Sequence, residues 1–247
     1  FKVKAVTESG KESAWSESVA YEKQEVSPFE MKLINANTEY EIKSVGIASG
    51  EVVIENTYKG LPITSIGDKA FANSYVSSIK LGDNIKSIGN SAFKNCSKLT
   101  AITLNEGLTE IGDYAFQSCS SLEKIEMTKT LLTLGEYAFS YCTALKSVEL
   151  NGGCKKISGN AFAECRSIET LEIPSGVKEI GEYAFSGNKN LAAVVLPEGI
   201  EKIEEGAFYG CAALKQITVP GSVVAIGDMA FMNAAALEKV TIENGVK

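Results

Sequence analysis

The dipeptide Ala-Phe recurs eight times, and its phenylalanines are Phe71, Phe93, Phe116, Phe139, Phe162, Phe185, Phe208 and Phe231. The first interval is 22 residues and the following six are all 23. An aliphatic residue stands five positions before each Phe, from Ile66, Ile88 and Ile111 to Ile203 and Ile226, with Leu134 the one leucine among isoleucines. Six positions after it comes Leu99, Leu122, Leu145, Ile168, Leu191, Leu214 or Leu237, and pairs such as Ile102/Leu104 and Ile217/Val219 follow. A fixed period with apolar positions in register requires one supersecondary unit per repeat. Each unit has a single apolar side and cannot bury it alone, so the units must stack.

Each repeat reads as a short circuit. Lys98–Leu104 alternates apolar and polar residues, as a half-buried strand does. Turn residues follow, as in Pro174-Ser175-Gly176 and Pro197-Glu198-Gly199, and then a second short extended piece, Leu108–Ile111. The Gly112-Asp113-Tyr114-Ala115-Phe116 element predicts a helical turn with an acidic residue at its start. Eight coils with strands about 4.8 Å apart predict a rod on the order of 40 Å long.

The recurring Ile-Gly-x-x-Ala-Phe-x-x-Cys-x-x-Leu-x-x-Ile-x-Leu-Pro resembles the BspA-type leucine-rich repeat of bacterial surface proteins. Residues 40–66 resemble the lead-in with which that family caps its first coil. The resemblance implies a leucine-rich-repeat solenoid, a right-handed superhelix of about eight 23-residue coils with a parallel strand ladder and short helical turns. It also implies an extracellular or cell-surface setting and a role in adhesion and protein binding. Departures are small: Ser158 and Glu204 replace the Gly that follows Ile.

The domain reading is a solenoid over 66–247, with linker and N-terminal cap over 26–65. Residues 1–25 are off-register, and the alternation in Phe1–Thr7 followed by a turn at 8–11 resembles the last two strands of a fibronectin type III domain. A stray hairpin packed on the end of the solenoid is the other reading. A start at Phe1 and a stop in mid-pattern after Ile242 lead us to expect a trimmed fragment.

Composition limits the chemistry. The net charge of −7 argues against nucleic acid and anionic membrane surfaces, which call for clustered Lys and Arg. No apolar run approaches the ~20 residues of a membrane span, so direct membrane insertion is not expected. Histidine is absent, which removes the usual general base and the commonest zinc ligand. Neither a phosphate-cradling Gly-rich loop nor a Gly-x-Ser-x-Gly elbow is present. The expectation is a chain with no catalytic residue, no metal and no cofactor.

Of the six cysteines, Cys96, Cys119, Cys142, Cys165 and Cys211 sit three residues after the anchor Phe, where other coils carry Ser74, Asn188 and Ala234. That column wants a small residue under the turn. Cys154 shares an apolar column with Leu108, Leu131, Val177 and Ile200. Equivalent positions stacked ~5 Å apart do not suit a disulfide, whose Cβ atoms lie about 3.8 Å apart, so free buried thiols are expected.

Two columns remain as candidate binding surfaces. The outward-facing strand column carries Glu126, Glu149 and Glu172, and stacked carboxylates repel unless relieved by neighbours such as Lys124 and Lys146. It reads either as a solvated face with local ion pairs or as a docking stripe for a basic or cation-bearing partner, a host or matrix protein being one such ligand. The column two residues before Phe carries Tyr114, Tyr137 and Tyr183, with Tyr141 and Tyr209 nearby. It reads either as packing along the helical edge or as a surface for protein or sugar. Three functional classes follow: a protein-binding module, a structural spacer, and a carbohydrate-binding module. Oligomeric state has no signature in the sequence.

Overall fold

The computed structural model describes residues 28–46 and 48–246, so the fibronectin-like reading of residues 1–25 lies outside the described residues. The described chain is a β-solenoid of about nine coils, one more than the Ala-Phe count, because a coil without that anchor precedes Phe71. Its two strands are Glu39–Ser44 and Ser49–Val53. They pair in parallel with Leu61–Ile66 and Tyr75–Lys80.

Each coil contributes one rung to each of two parallel ladders. The first ladder runs from Glu39–Ser44 through Leu61–Ile66, Ser87–Ile88 and Glu110–Ile111 to Thr133–Leu134, then from Lys156–Ile157 to Ala225–Ile226. Its N-terminal edge is closed by Glu30–Ile34, which folds back antiparallel on Glu39–Ser44 through a tight turn in which Asn35, Ala36 and Asn37 all have positive φ. The second ladder has three sections: Ser49–Val53 to Ala101–Thr103, Lys124–Glu126 with Ser147–Glu149, and Thr170–Glu172 to Lys239–Ile242. Side chains alternate in and out along these strands, so Ile125 and Leu171 are buried while their neighbours are exposed.

The third side of each coil corrects the helical-turn expectation: no α-helix occurs among the described residues. Left-handed residues stand at two positions per coil, two before and two after the anchor Phe, as at Tyr114 (φ 58°) and Ser118 (φ 60°). Along this edge every second N–H points at the adjacent coil. Lys69, Phe71 and Asn73 donate to the carbonyls of Asn90, Ala92 and Lys94 at 2.7–2.9 Å. The intervening N–H groups of Ala70, Ala72 and Ser74 close turns onto Gly67, Lys69 and Phe71. A single helical turn would leave its first four N–H groups without partners, whereas this conformation pairs every second N–H with the next coil and the others within the turn. The acidic residue expected to cap a helix instead bonds between coils: Asp68 Oδ1 accepts from Asn90 N, Asn90 Oδ1 from Asp113 N, and Asp113 Oδ1 from Glu136 N, at 2.7–2.8 Å. This close approach explains the glycine after Ile. A Cβ on Gly89 would sit 2.6 Å from Asp68 Oδ1 and 2.7 Å from its backbone N.

Phenylalanines fill the centre. From Phe71 to Phe231 consecutive rings stack with centroids 4.8–5.7 Å apart, and Phe29 closes the N-terminal end of the stack edge-on at 6.0 Å from Phe71. Phe71 to Phe208 are fully buried. All six cysteines are buried and unpaired. The Sγ of Cys96, Cys119, Cys142, Cys165 and Cys211 each donates to the Phe carbonyl of the preceding coil at 3.0–3.3 Å. Asn188, in the same column, does this with its Nδ2, at 3.0 Å from Phe162 O. Six of the eight residues in this column thus donate to the preceding coil, while Ser74 pairs with Cys96 Sγ and Ala234 carries no donor. Cys154 likewise reaches Leu131 O, at 3.3 Å.

Candidate functional site

Strand geometry on the second ladder carries Glu126, Glu149 and Glu172 outward, all exposed. Glu126 and Glu149 are direct register partners, so their carboxylates rise from adjacent rungs. Lys124, two residues back on the same strand face, answers both: its Nζ lies 2.7 Å from Glu149 and 3.6 Å from Glu126. The hydrogen bond and charge of Glu149 raise the Lys124 ammonium above the ordinary lysine range. Lys146 lies 3.3 Å from Glu123 in the adjoining column.

Glu172 belongs to the next ladder section and is in register with Val195, itself 59% exposed. The three glutamates share a face, then, but form a lysine-bridged pair and a separate carboxylate rather than one uniform ladder. A shallow depression of about 410 Å³ adjoins the pair, lined in part by Thr100, Thr103, Lys124, Glu126 and Asn151.

The tyrosine column divides as well. Tyr114 and Tyr137 stack, with centroids 4.9 Å apart and planes 7° apart, and the Lys94 ammonium sits 5.3 Å from the Tyr114 ring centre. Asn160 interrupts the column. Beyond it Tyr183 turns toward Tyr209, edge-on at 6.3 Å, and donates its hydroxyl to Glu205 Oε1 at 2.6 Å. That hydrogen bond holds the Tyr183 phenol above its usual pKa. Glu205 is a partner that sequence reasoning missed. Its signal was present in the period, since the position three before one Phe always adjoins the position two before the preceding Phe.

Parallel ladders, an inward aliphatic column and a buried aromatic stack define a leucine-rich-repeat solenoid. Comparison with known proteins narrows this. The BspA type leucine rich repeat region matches residues 64–192 and 178–247, and the chain belongs to that family. Among solved structures it is similar to a leucine-rich repeat protein of T. pallidum, at 28% identity and a TM-score of 0.70, covering 85% of this chain and 88% of that one. It is also similar to a leucine-rich repeat protein of Bacteroides ovatus, at 23% identity and a TM-score of 0.56, covering 89% and 70% of the two chains. The pneumococcal vaccine antigen PcpA matches at 23% identity and a TM-score of 0.50, covering 84% of this chain and 62% of that one. No curated protein sequence matches the chain.

Proposed function

We propose that the chain is a non-catalytic protein-binding, adhesive module of a secreted or surface-displayed bacterial protein, and that it engages a basic protein ligand along its second strand ladder. Family membership and the likeness to a pneumococcal vaccine antigen support the surface setting. The observation that carries the docking reading is the exposed, registered pair Glu126 and Glu149, followed on the same face by Glu172 and the exposed Val195. Parallel strands hold these groups at a fixed ~4.8 Å rise, so a partner meets a rigid pattern at little ordering cost. Lys124 reduces repulsion within the pair while no partner is bound. An arriving Arg or Lys would compete with it, which favours a salt-sensitive interface.

The test is binding to a panel of immobilised extracellular-matrix proteins, for the parent and for a variant with Glu126, Glu149 and Glu172 all changed to Gln. The variant should lose most of its binding, keep its thermal midpoint, and leave a residual signal that responds less to added salt. Equal binding by parent and variant would sink the reading.

A further inference from the structure

We propose that the turn edge between Glu164 and Asn233 is a binding groove for short, uncharged oligosaccharides, a site separate from the strand face and independent of the reading above. The position two after the anchor Phe is left-handed in every coil, yet it is Asn73, Asn95, Ser118, Tyr141 and Glu164 in five of them. The backbone therefore does not require glycine there. Two successive coils nevertheless carry Gly187 and Gly210, and Asn233 resumes the column. A groove of about 450 Å³ lies along these coils, its ends three coil steps apart, or about 14 Å; Gly210 is its open floor, while the Glu164 carboxylate fills the space a Gly187 side chain would take. A Cβ placed on Gly210 would find nothing nearer than the Gly187 backbone, at 3.8 Å.

The groove is walled by two tyrosine rings, both fixed by hydrogen bonds. Tyr183 leans over Gly206, a third glycine, and its hydroxyl is held by Glu205. Tyr209 accepts from Asn233 Nδ2 at 2.8 Å, which leaves Asn233 Oδ1 as an acceptor at one end. At the other end Arg166 holds Glu164 Oε2 at 2.7 Å, and the second oxygen, Oε1, lies over Gly187. The exposed Lys189 adds a donor on the rim.

The chemistry of these walls selects the ligand. The partly exposed Tyr183 and Tyr209 rings offer apolar surface to a sugar's C–H groups, while a carboxylate, an amide oxygen and an ammonium address hydroxyls. Groups of both signs at the rim disfavour a phosphate or a bare cation and suit a neutral ligand. The groove is shallow, so the expected Kd is on the order of 1 mM.

The probes are lactose, cellobiose and N,N′-diacetylchitobiose, titrated into the full chain with ring-labelled tyrosines and followed by NMR. At least one should move the Tyr183 and Tyr209 signals saturably and leave Tyr114 and Tyr137 still. Gly210→Asn installs a side chain already found in this column at Asn95 and Asn233, so it keeps the fold while filling the floor. It should weaken binding at least roughly 10-fold, a difference of about 1.4 kcal/mol. The triple Glu→Gln variant of the strand face should bind sugar as the parent does, which separates this proposal from the protein-binding one. Absence of any ring shift up to roughly 50 mM, some 50 times the expected Kd, or parental affinity in a folded Gly210→Asn protein, would overturn it.

Discussion

The Sγ of Cys142 lies 3.2 Å from the carbonyl oxygen of Phe116 in the coil beneath, and the same oxygen accepts the N–H of Cys119 at 3.1 Å. One backbone carbonyl is thus shared between its own turn and the next coil, and Cys96, Cys119 and Cys165 repeat the arrangement, while beneath Cys211 the Phe185 carbonyl takes the Asn188 side-chain amide instead of a turn N–H.

Substitutions at Cys142 should separate volume from hydrogen bonding. Cys142→Ala removes a buried donor and some volume and should cost about 1–3 kcal/mol in denaturant unfolding. Cys142→Ser keeps a donor, as Ser74 does at the same position, and should cost less. An alanine variant no worse than the serine one would show that only volume matters there.

Burial pushes the thiols of Cys142 and Cys211 up to about 12 and that of Cys154 up to about 11. Because the folded pKa exceeds the unfolded value near 9, the folded state holds these protons more tightly. Their contribution to stability is complete below about pH 9 and is lost as pH climbs from there toward 12. Each thiol adds a slope of about 1.4 kcal/mol per pH unit within that window. Unfolding free energies between pH 8 and pH 11 should fall steeply for the parent and less steeply for a Cys142→Ala, Cys211→Ala protein. At pH 8 the native chain should also resist iodoacetamide and react once unfolded.

The phenylalanine stack should be most sensitive in its middle. Phe162 is fully buried between the rings of Phe139 and Phe185, so Phe162→Ala should cost about 3–5 kcal/mol. Phe231 stacks only on Phe208 and is partly buried, so Phe231→Ala should cost clearly less by thermal or urea unfolding. Equal losses would contradict additive stacking along the solenoid.

Two glycines of similar appearance should behave differently. A Cβ on Gly89 would strike the Asp68 backbone, and Gly89→Ala should destabilise by about 1–3 kcal/mol. At Gly159 the nearest neighbour would be Glu182 O at 3.4 Å, an ordinary contact. Gly159→Ala should be near neutral by the same assay.

The Phe period was legible because a ring at the centre of each coil must meet its copies, and a slip of one residue would turn it outward. The first coil was not legible, since Glu39–Ser44 and Ser49–Val53 join the two ladders without an Ala-Phe anchor. The helical turn failed for a local reason: Gly-Asp-x-Ala-Phe reads the same whether its acid caps a helix or bonds the next coil. Left-handed geometry is concealed when Lys69, Ser91, Tyr114, Asn160 and Met229 all adopt it without a shared side chain. For the site, the sequence placed Glu126, Glu149 and Lys124 on one face. The Lys124 bridge to both carboxylates and the section break before Glu172 depend on register and side-chain reach. Those properties come from packing between coils rather than from any one repeat.

The hydrogen bonds of the parallel ladders, and every second one along the turn edge, join one coil to the next, so they lie along the direction in which the coils stack. A tensile load applied between the ends would act on these bonds one coil at a time rather than shearing many together. Each coil that detached would release 23 residues, a contour of about 80 Å. Under traction the solenoid would lengthen stepwise and dissipate work over a long extension, instead of failing in a single rupture.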